Sequence, residues 1–287
     1  MKKIFFSLLL LIGAIGANAQ TVQIYKAGSV VGTYADADSV VFSQATTAVG
    51  EPIGKFYVSD DKQVGFAPGN LQYHTGANIW RFAEHQYDTI GYANSHISAS
   101  YDGWIDLFGW SVTNAAAPFG ISASENDDDY VGDFVDWGAN RIGAYAPNTW
   151  RTLTYDEWMY LFKHTPWTMA RVDGILGFML LPKSMEGVTL LGSGNESKVI
   201  FSFYPSKFSS NRYTTAEFAL LEAMGCVFLP CAGERKGTIV NYTNSCGYYW
   251  SSTLITLVFH ISFSAYNAGY GQTNSYYGRS VRLVKDL

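Results

Sequence analysis

Residues 237–278 contain no Asp, Glu, Lys or Arg, yet they are dense in Tyr, Ser, Gly, Asn and aliphatic side chains. A long uncharged polar-aromatic stretch of this kind looks more like a contact surface than a reaction centre. It is bounded by two rigid pieces. Tyr248-Tyr249-Trp250 followed by Ser251-Ser252-Thr253 opens it, and the apolar/basic alternation Val281-Arg282-Leu283-Val284-Lys285 follows it. A fixed frame around a Tyr/Ser/Gly/Asn interior has the composition of a contact surface, where Tyr gives stiff amphipathic area and the small residues give adaptable hydrogen bonds. Inside it, residues 255–264 alternate. Ile255, Leu257, Phe259, Ile261 and Phe263 are expected on one strand face. Thr256, Val258, His260, Ser262 and Ser264 are expected on the other. Leu254 beside Ile255 breaks the alternation, so one of that pair is expected to be exposed.

The rest of the chain reads as short strands and two helices. Residues 1–19 have the pattern of a secretory signal: Lys2-Lys3, an apolar run, then Ala17-Asn18-Ala19. That run is shorter than the roughly 20 residues a membrane span needs. Residues 20–43 are expected to form a small β-hairpin unit with Lys26-Ala27-Gly28-Ser29 at its turn and a third short strand after it. Residues 44–54 are read as a linker, and residues 55–287 as the main domain. Its start reads as four strands separated by turns at Asp60-Asp61, Pro68-Gly69-Asn70 and Gly76-Ala77-Asn78. Trp104, Leu107, Phe108 and Trp110 suggest a compact buried loop, and residues 114–148 a long irregular one, of the kind that is functional or ordered by something else. Thr154/Glu157 and Thr214/Glu217 are capping boxes that start two helices. Further short strands are expected at 174–182, 199–203 and 226–230, with a charged turn at 234–237.

Composition narrows the function classes. The net charge of −5 leaves no basic footprint for nucleic acid. Three cysteines, Cys226, Cys231 and Cys246, allow at most one internal bridge; buried thiols are the favoured reading. Asp127-Asp128-Asp129, with Asp133 and Asp136, offers the oxygen ligands Ca²⁺ takes, but not at EF-hand spacing. A solvated acidic loop is preferred, with no cofactor expected and a structural Ca²⁺ there as the alternative. No nucleophile–base pair or carboxylate pair is legible.

Several segments carry a resemblance: GFAPGNLQYHTGANIWRFAEHQYDTIG, WIDLFGW, WRTLTYDEWMYLF, YTTAEFALLEAMGCVFLPCAG, and GYYWSST with YYGRSVRLV. Together they resemble the C-type-lectin-fold proteins exported by gut Bacteroidetes, among them the variable proteins of diversity-generating retroelements. The resemblance implies an α+β C-type lectin fold: two helices, a twisted antiparallel sheet and long loops. It implies an exported protein, secreted or at the cell surface, with the periplasm as the alternative. Its partner would be a protein or glycan on another cell, phage or host surface. Diversified ligand-binding positions would be Leu254, Ile255, Leu257, His260, Ser262, Ser264, Tyr266, Tyr270, Asn274, Tyr276, Tyr277 and Arg279. Trp250, Ser251, Ser252, Ile261, Phe263, Gly278, Ser280 and Val281 would be constant frame. The alternatives are a non-diversified paralogue that binds glycan without calcium, and a formylglycine-generating-type oxidoreductase relative. The calcium-lectin motifs EPN, QPD and WND do not occur, and Cys246 has no cysteine partner in its own motif. No enzyme activity is expected.

Overall fold

The computed structural model describes residues 22–26, 29–34, 51–185, 189–192, 195–199, 211–265 and 267–287. The expected signal, third hairpin strand and Tyr266 lie outside these residues, as does most of the strand expected at 199–203. The chain divides into two units, 1–46 and 47–287. In the first, β1 (Val22–Lys26) and β2 (Ser29–Tyr34) pair antiparallel, with a register shift between Ile24 and Tyr25.

The second unit is α+β, mostly short strands. β3 (Ile53–Tyr57) and β4 (Gln63–Phe66) form a hairpin, and the C-terminal β19 (Val284–Asp286) adds to the other edge of β4. β3 takes in Ile53 and Gly54, which were expected in the linker. β5 (Leu71–His74) pairs with β6 (Ile79–Phe82) and with β7 (Trp104–Ile105). β8 (Trp167–Val172), β9 (Ile175–Leu180) and β13 (Val227–Pro230) run antiparallel in one sheet, and β12 (Arg212–Tyr213) joins β8 in parallel. β10 (Thr189–Gly192) and β11 (Asn195–Val199) form a separate pair, as do β14 (Glu234–Lys236) and β15 (Ile239–Asn241). The last sheet is β16 (Cys246–Leu254), β17 (Val258–Ser264) and β18 (Ala268–Thr273), in that order and antiparallel.

Both helices start where their capping boxes stand. α1 is Tyr155–His164 and α2 is Thr215–Ala223. In each, the Thr hydroxyl accepts from the Glu backbone N–H and the Glu carboxylate accepts from the Thr backbone N–H. These reciprocal bonds satisfy two of the donors that a helix start leaves open. Trp158 and Leu161 of α1, and Phe218 and Leu221 of α2, face the interior. Among the described residues no helix is long and apolar enough to cross a membrane.

β16 is the wall between two cores. Tyr249 packs with Phe56, Phe66, Trp158, Phe178 and Phe263 on one side, and Trp250 with Trp80, Phe108, Trp110 and Trp137 on the other. Alternate residues of one strand feed opposite cores, as period-two geometry requires. The polar tips are paired: Tyr249 OH donates to Pro230 O at 2.9 Å, and Trp250 Nε1 donates to Phe108 O at 2.7 Å.

The segment after β18 threads between these layers. Backbone bonds join Arg279 to Phe108, Ser280 to Tyr248 and Trp250, Val281 to Leu71, and Leu283 to Ala67. Gly278 and Arg235 exchange both backbone bonds. A Cβ on Gly278 would meet Arg235 Cβ and Leu107 O, each at 2.9 Å, so the approach requires glycine.

The long loop 114–148 is ordered by its own packing. Tyr130 and Trp137 are buried, and Trp137 Nε1 donates to Phe119 O at 2.8 Å. At Gly120 (φ +70) a Cβ would sit 1.8 Å from Gly109 O, which fixes the loop against the WIDLFGW segment. In that segment Leu107, Phe108 and Trp110 are buried, as the sequence suggests, and so is Ile105, but Trp104 is only half-buried.

Asp106 is the buried carboxyl of this region. It accepts from Ile90 N at 2.8 Å and Asn94 Nδ2 at 2.7 Å. Burial pushes its carboxyl up to about 6, and these hydrogen bonds only partly oppose that rise. Its folded value therefore lies above the ordinary aspartate value of about 3.9, and the folded state holds the proton more tightly than the unfolded chain. Its contribution to stability should fall as pH rises from about 4 to about 6. Urea unfolding of wild type and Asp106→Asn across that window should differ by this slope. Parallel pH profiles would rule it out.

Candidate functional site

The β16–β18 sheet has one face on the Phe178 core and one face outward. Register places Tyr249, Ile261 and Tyr270 together on the inner face, and Tyr248, Ser262 and Gly269 on the outer one. Trp250, His260 and Gly271 also align on the outer face.

The twelve positions singled out in the sequence do not form one patch. Leu254, Ile255 and Leu257 stand at the β16–β17 turn, 46%, 73% and 38% exposed. The strand begins only at Val258, so Ile255 and Leu257 do not belong to the inward row expected of them. Both members of the Leu254–Ile255 pair are exposed, not one. His260, Ser262, Ser264, Tyr276, Tyr277 and Arg279 gather on or above the outer face. Tyr270 lies on the other side, where it meets Tyr155 edge-to-face at 5.2 Å, and Tyr155 packs on Phe259 at 4.2 Å. Asn274 lies just beyond β18 and donates to Asp127 Oδ2. Tyr266 is outside the described residues.

Val258 and His260 were expected to face water and are buried. Strand alternation is intact, but at this end the outer face is covered as well. Val258 enters the Trp110 core, and the His260 ring lies between Tyr248 and Trp250, with centroids at 6.1 and 6.3 Å. Burial first, and the Arg279 charge second, push the imidazole down to about 3. His260 is therefore neutral at physiological pH, and far from the value a general base needs there.

Arg279 was expected to contact a ligand from an exposed position and is only 4% exposed. Its Nη2 donates to Glu234 Oε2 at 2.9 Å. Its guanidinium carbon lies 4.6 Å from the Tyr248 ring, 5.2 Å from Trp250 and 5.5 Å from Tyr277. Such ring contacts favour the cation. Tyr277 is half-buried and stacks on Tyr276 at 4.9 Å, and Lys236 lies 5.9 Å over Tyr276.

The expected charged turn at 234–237 is instead the strand β14. Arg235 at its centre is fully buried, and its guanidinium donates to the carbonyls of Leu107, Ser122 and Gly237. Only Gly237, with φ +56, keeps the turn role. Cys226 and Cys231 are buried and Cys246 is half-buried; all three are free thiols. Burial pushes the Cys226 thiol up to about 12. Among the described residues, no three His, Cys, Asp or Glu side chains gather in a metal-binding arrangement.

Tyr248, Tyr155, Gly269 and Gly271 were not singled out as site residues. Tyr248 looked like frame, and Tyr155 like an ordinary first-turn helix residue. Alternate glycines at 269 and 271 inside a strand were the available signal, since they mark close approach or open space beside a sheet. Comparisons with family models, curated proteins and solved structures find no match for this chain.

Proposed function

We propose that this chain is an exported binding protein with a C-type lectin fold, which presents its C-terminal sheet and the β16–β17 turn to a protein or glycan partner. One observation carries the reading. Leu254, Ile255 and Leu257 are exposed together on a strand pair whose Tyr249, Ile261 and Phe263 feed one buried core and whose Trp250 and Val258 feed another, within a stretch that has no charged side chain. Exposed aliphatic side chains on a pre-ordered support fit a contact anchor, because little ordering entropy is lost on binding. The mode of action is binding and not catalysis: the outer face offers phenols, hydroxyls and an imidazole held neutral. The resemblance of the WSST and SVRLV segments to retroelement variable proteins supports diversification of this surface. A near-identical template copy of the 247–287 coding segment beside a reverse transcriptase, differing at template adenines, would establish it. Absence of the copy would leave a fixed paralogue.

The surface is tested by screening the purified protein on glycan and surface-protein arrays, then measuring the selected partner against Ile255→Ser and Leu257→Ala. Each should weaken binding about tenfold, or about 1.4 kcal/mol. Each should move the melting temperature by no more than about 2 °C, because both side chains are exposed. The affinity lost in Ile255→Ser and Leu257→Ala should change little between about 0.1 M and about 1 M salt, since these side chains carry no charge. Full affinity in both variants would remove the turn from the contact site.

A further inference from the structure

We infer that Arg279 anchors a carboxylate group of the partner, received on the outer face of the C-terminal sheet beneath Tyr277. The inference rests on the reading of this sheet as the contact surface, and adds the chemistry it recognises.

Three arginines are buried in this protein, and they are not equivalent. Arg235 and Arg282 use every guanidinium nitrogen on carbonyl or amide oxygens. Arg279 uses one. Its Nε and Nη1 are buried with no hydrogen-bond partner. An unpaired buried donor costs about 1–3 kcal/mol, so a fold that pairs its other two buried guanidinium groups completely leaves this one open at a cost. The rings of Tyr248, Trp250 and Tyr277 attract the cation but supply no acceptor oxygen.

The neighbouring sheet leaves room. A Cβ built on Gly269 would have no atom within 4 Å, and one on Gly271 would sit 2.8 Å from the His260 ring. Glycine leaves the sheet surface open at Gly269, while at Gly271 it lets the His260 ring pack against the strand. The open donors favour this ligand. Nε and Nη1 can each donate to a carboxylate oxygen, while Glu234, already paired at 2.9 Å, repels a dianion more strongly than a monoanion. Tyr277 is the half-buried cover, and rotation of its ring admits the carboxylate.

The test follows the Arg279 Nε–H and His260 ring resonances of the intact chain by NMR, titrating acetate against chloride at constant ionic strength. Both should shift saturably, and the imidazole should titrate at higher pH with acetate bound, because a carboxylate would offset the Arg279 charge. Tyr277→Ala, which uncovers the guanidinium, should bind acetate several-fold more tightly. Arg279→Lys, which keeps the charge but loses the planar fork, should bind at least about tenfold more weakly. Glucuronate and N-acetylglycine separate a sugar acid from a peptide carboxylate as the source, and tighter binding than acetate by either supports the assignment. No saturable shift in wild type or Tyr277→Ala overturns it, even if Arg279→Lys fails to fold. Sulfate binding as tightly as acetate also overturns it. Failure here leaves the Ile255 and Leu257 result untouched, while indifference of those variants leaves the acetate response standing.

Discussion

Trp250→Ala is expected to lose about 3–5 kcal/mol of unfolding free energy, the range for emptying a large aromatic site in a core. Two further losses push toward the upper end. Phe108 O keeps the Arg279 N–H but loses its second donor at 2.7 Å, and Arg279 loses one of its three rings. A domain is stable by about 5–15 kcal/mol, so this variant should be marginal or unfolded at room temperature. Urea unfolding followed by tryptophan fluorescence measures it. A loss below about 1 kcal/mol would show that the second core closes without this indole, contrary to its place between Phe108 and the outer face.

Arg282→Met should be nearly as costly for a different reason. The Arg282 guanidinium donates to Asn70 Oδ1, Gln86 Oε1 and the backbone oxygens of Ala67, Gln86 and Phe228. Methionine keeps much of the volume but satisfies none of these. Removing the charge has a benefit, since burial alone pushes the guanidinium down to about 10. Against that, three carbonyls and the Asn70 amide oxygen lose their Arg282 donors, at about 1–3 kcal/mol each for those left dry, while Gln86 Oε1 keeps its bond from Phe228 N at 2.7 Å. The losses outnumber the gain, and a net destabilisation of about 3 kcal/mol or more is expected. Equal stability of wild type and variant would mean that these acceptors rehydrate or re-pair. Arg282→Lys separates the two effects, because it retains the charge while offering fewer donors.

Much of the architecture was legible from local chemistry. The two capping boxes fixed both helix starts, and turn residues at 60–61 and 76–78 placed the hairpins around β4 and β5. What failed was burial on the outer face of β17. Alternation told which way His260 points, but not that residues 276–280, far along the chain, return to cover it. Arg235 failed likewise: a charged run before glycine reads as a turn, and nothing local announces that the distant carbonyls of Leu107 and Ser122 will cover it. The exposed turn was half legible, since the break at Leu254–Ile255 was visible while the late start of β17 was not. The eleven described positions of the list scatter over four places because linear spacing carries no information on which side of a sheet a loop returns.

The segment after β18 also bears on the order in which the chain folds. Residues 278–287 supply the bonds that tie Ala67, Leu71, Phe108, Arg151, Arg235 and Trp250 into one body. Pairing of β19 with β4 joins positions more than two hundred residues apart in sequence. Contacts of such long range are slow to form, so local hairpins and helices precede the closure of the two cores.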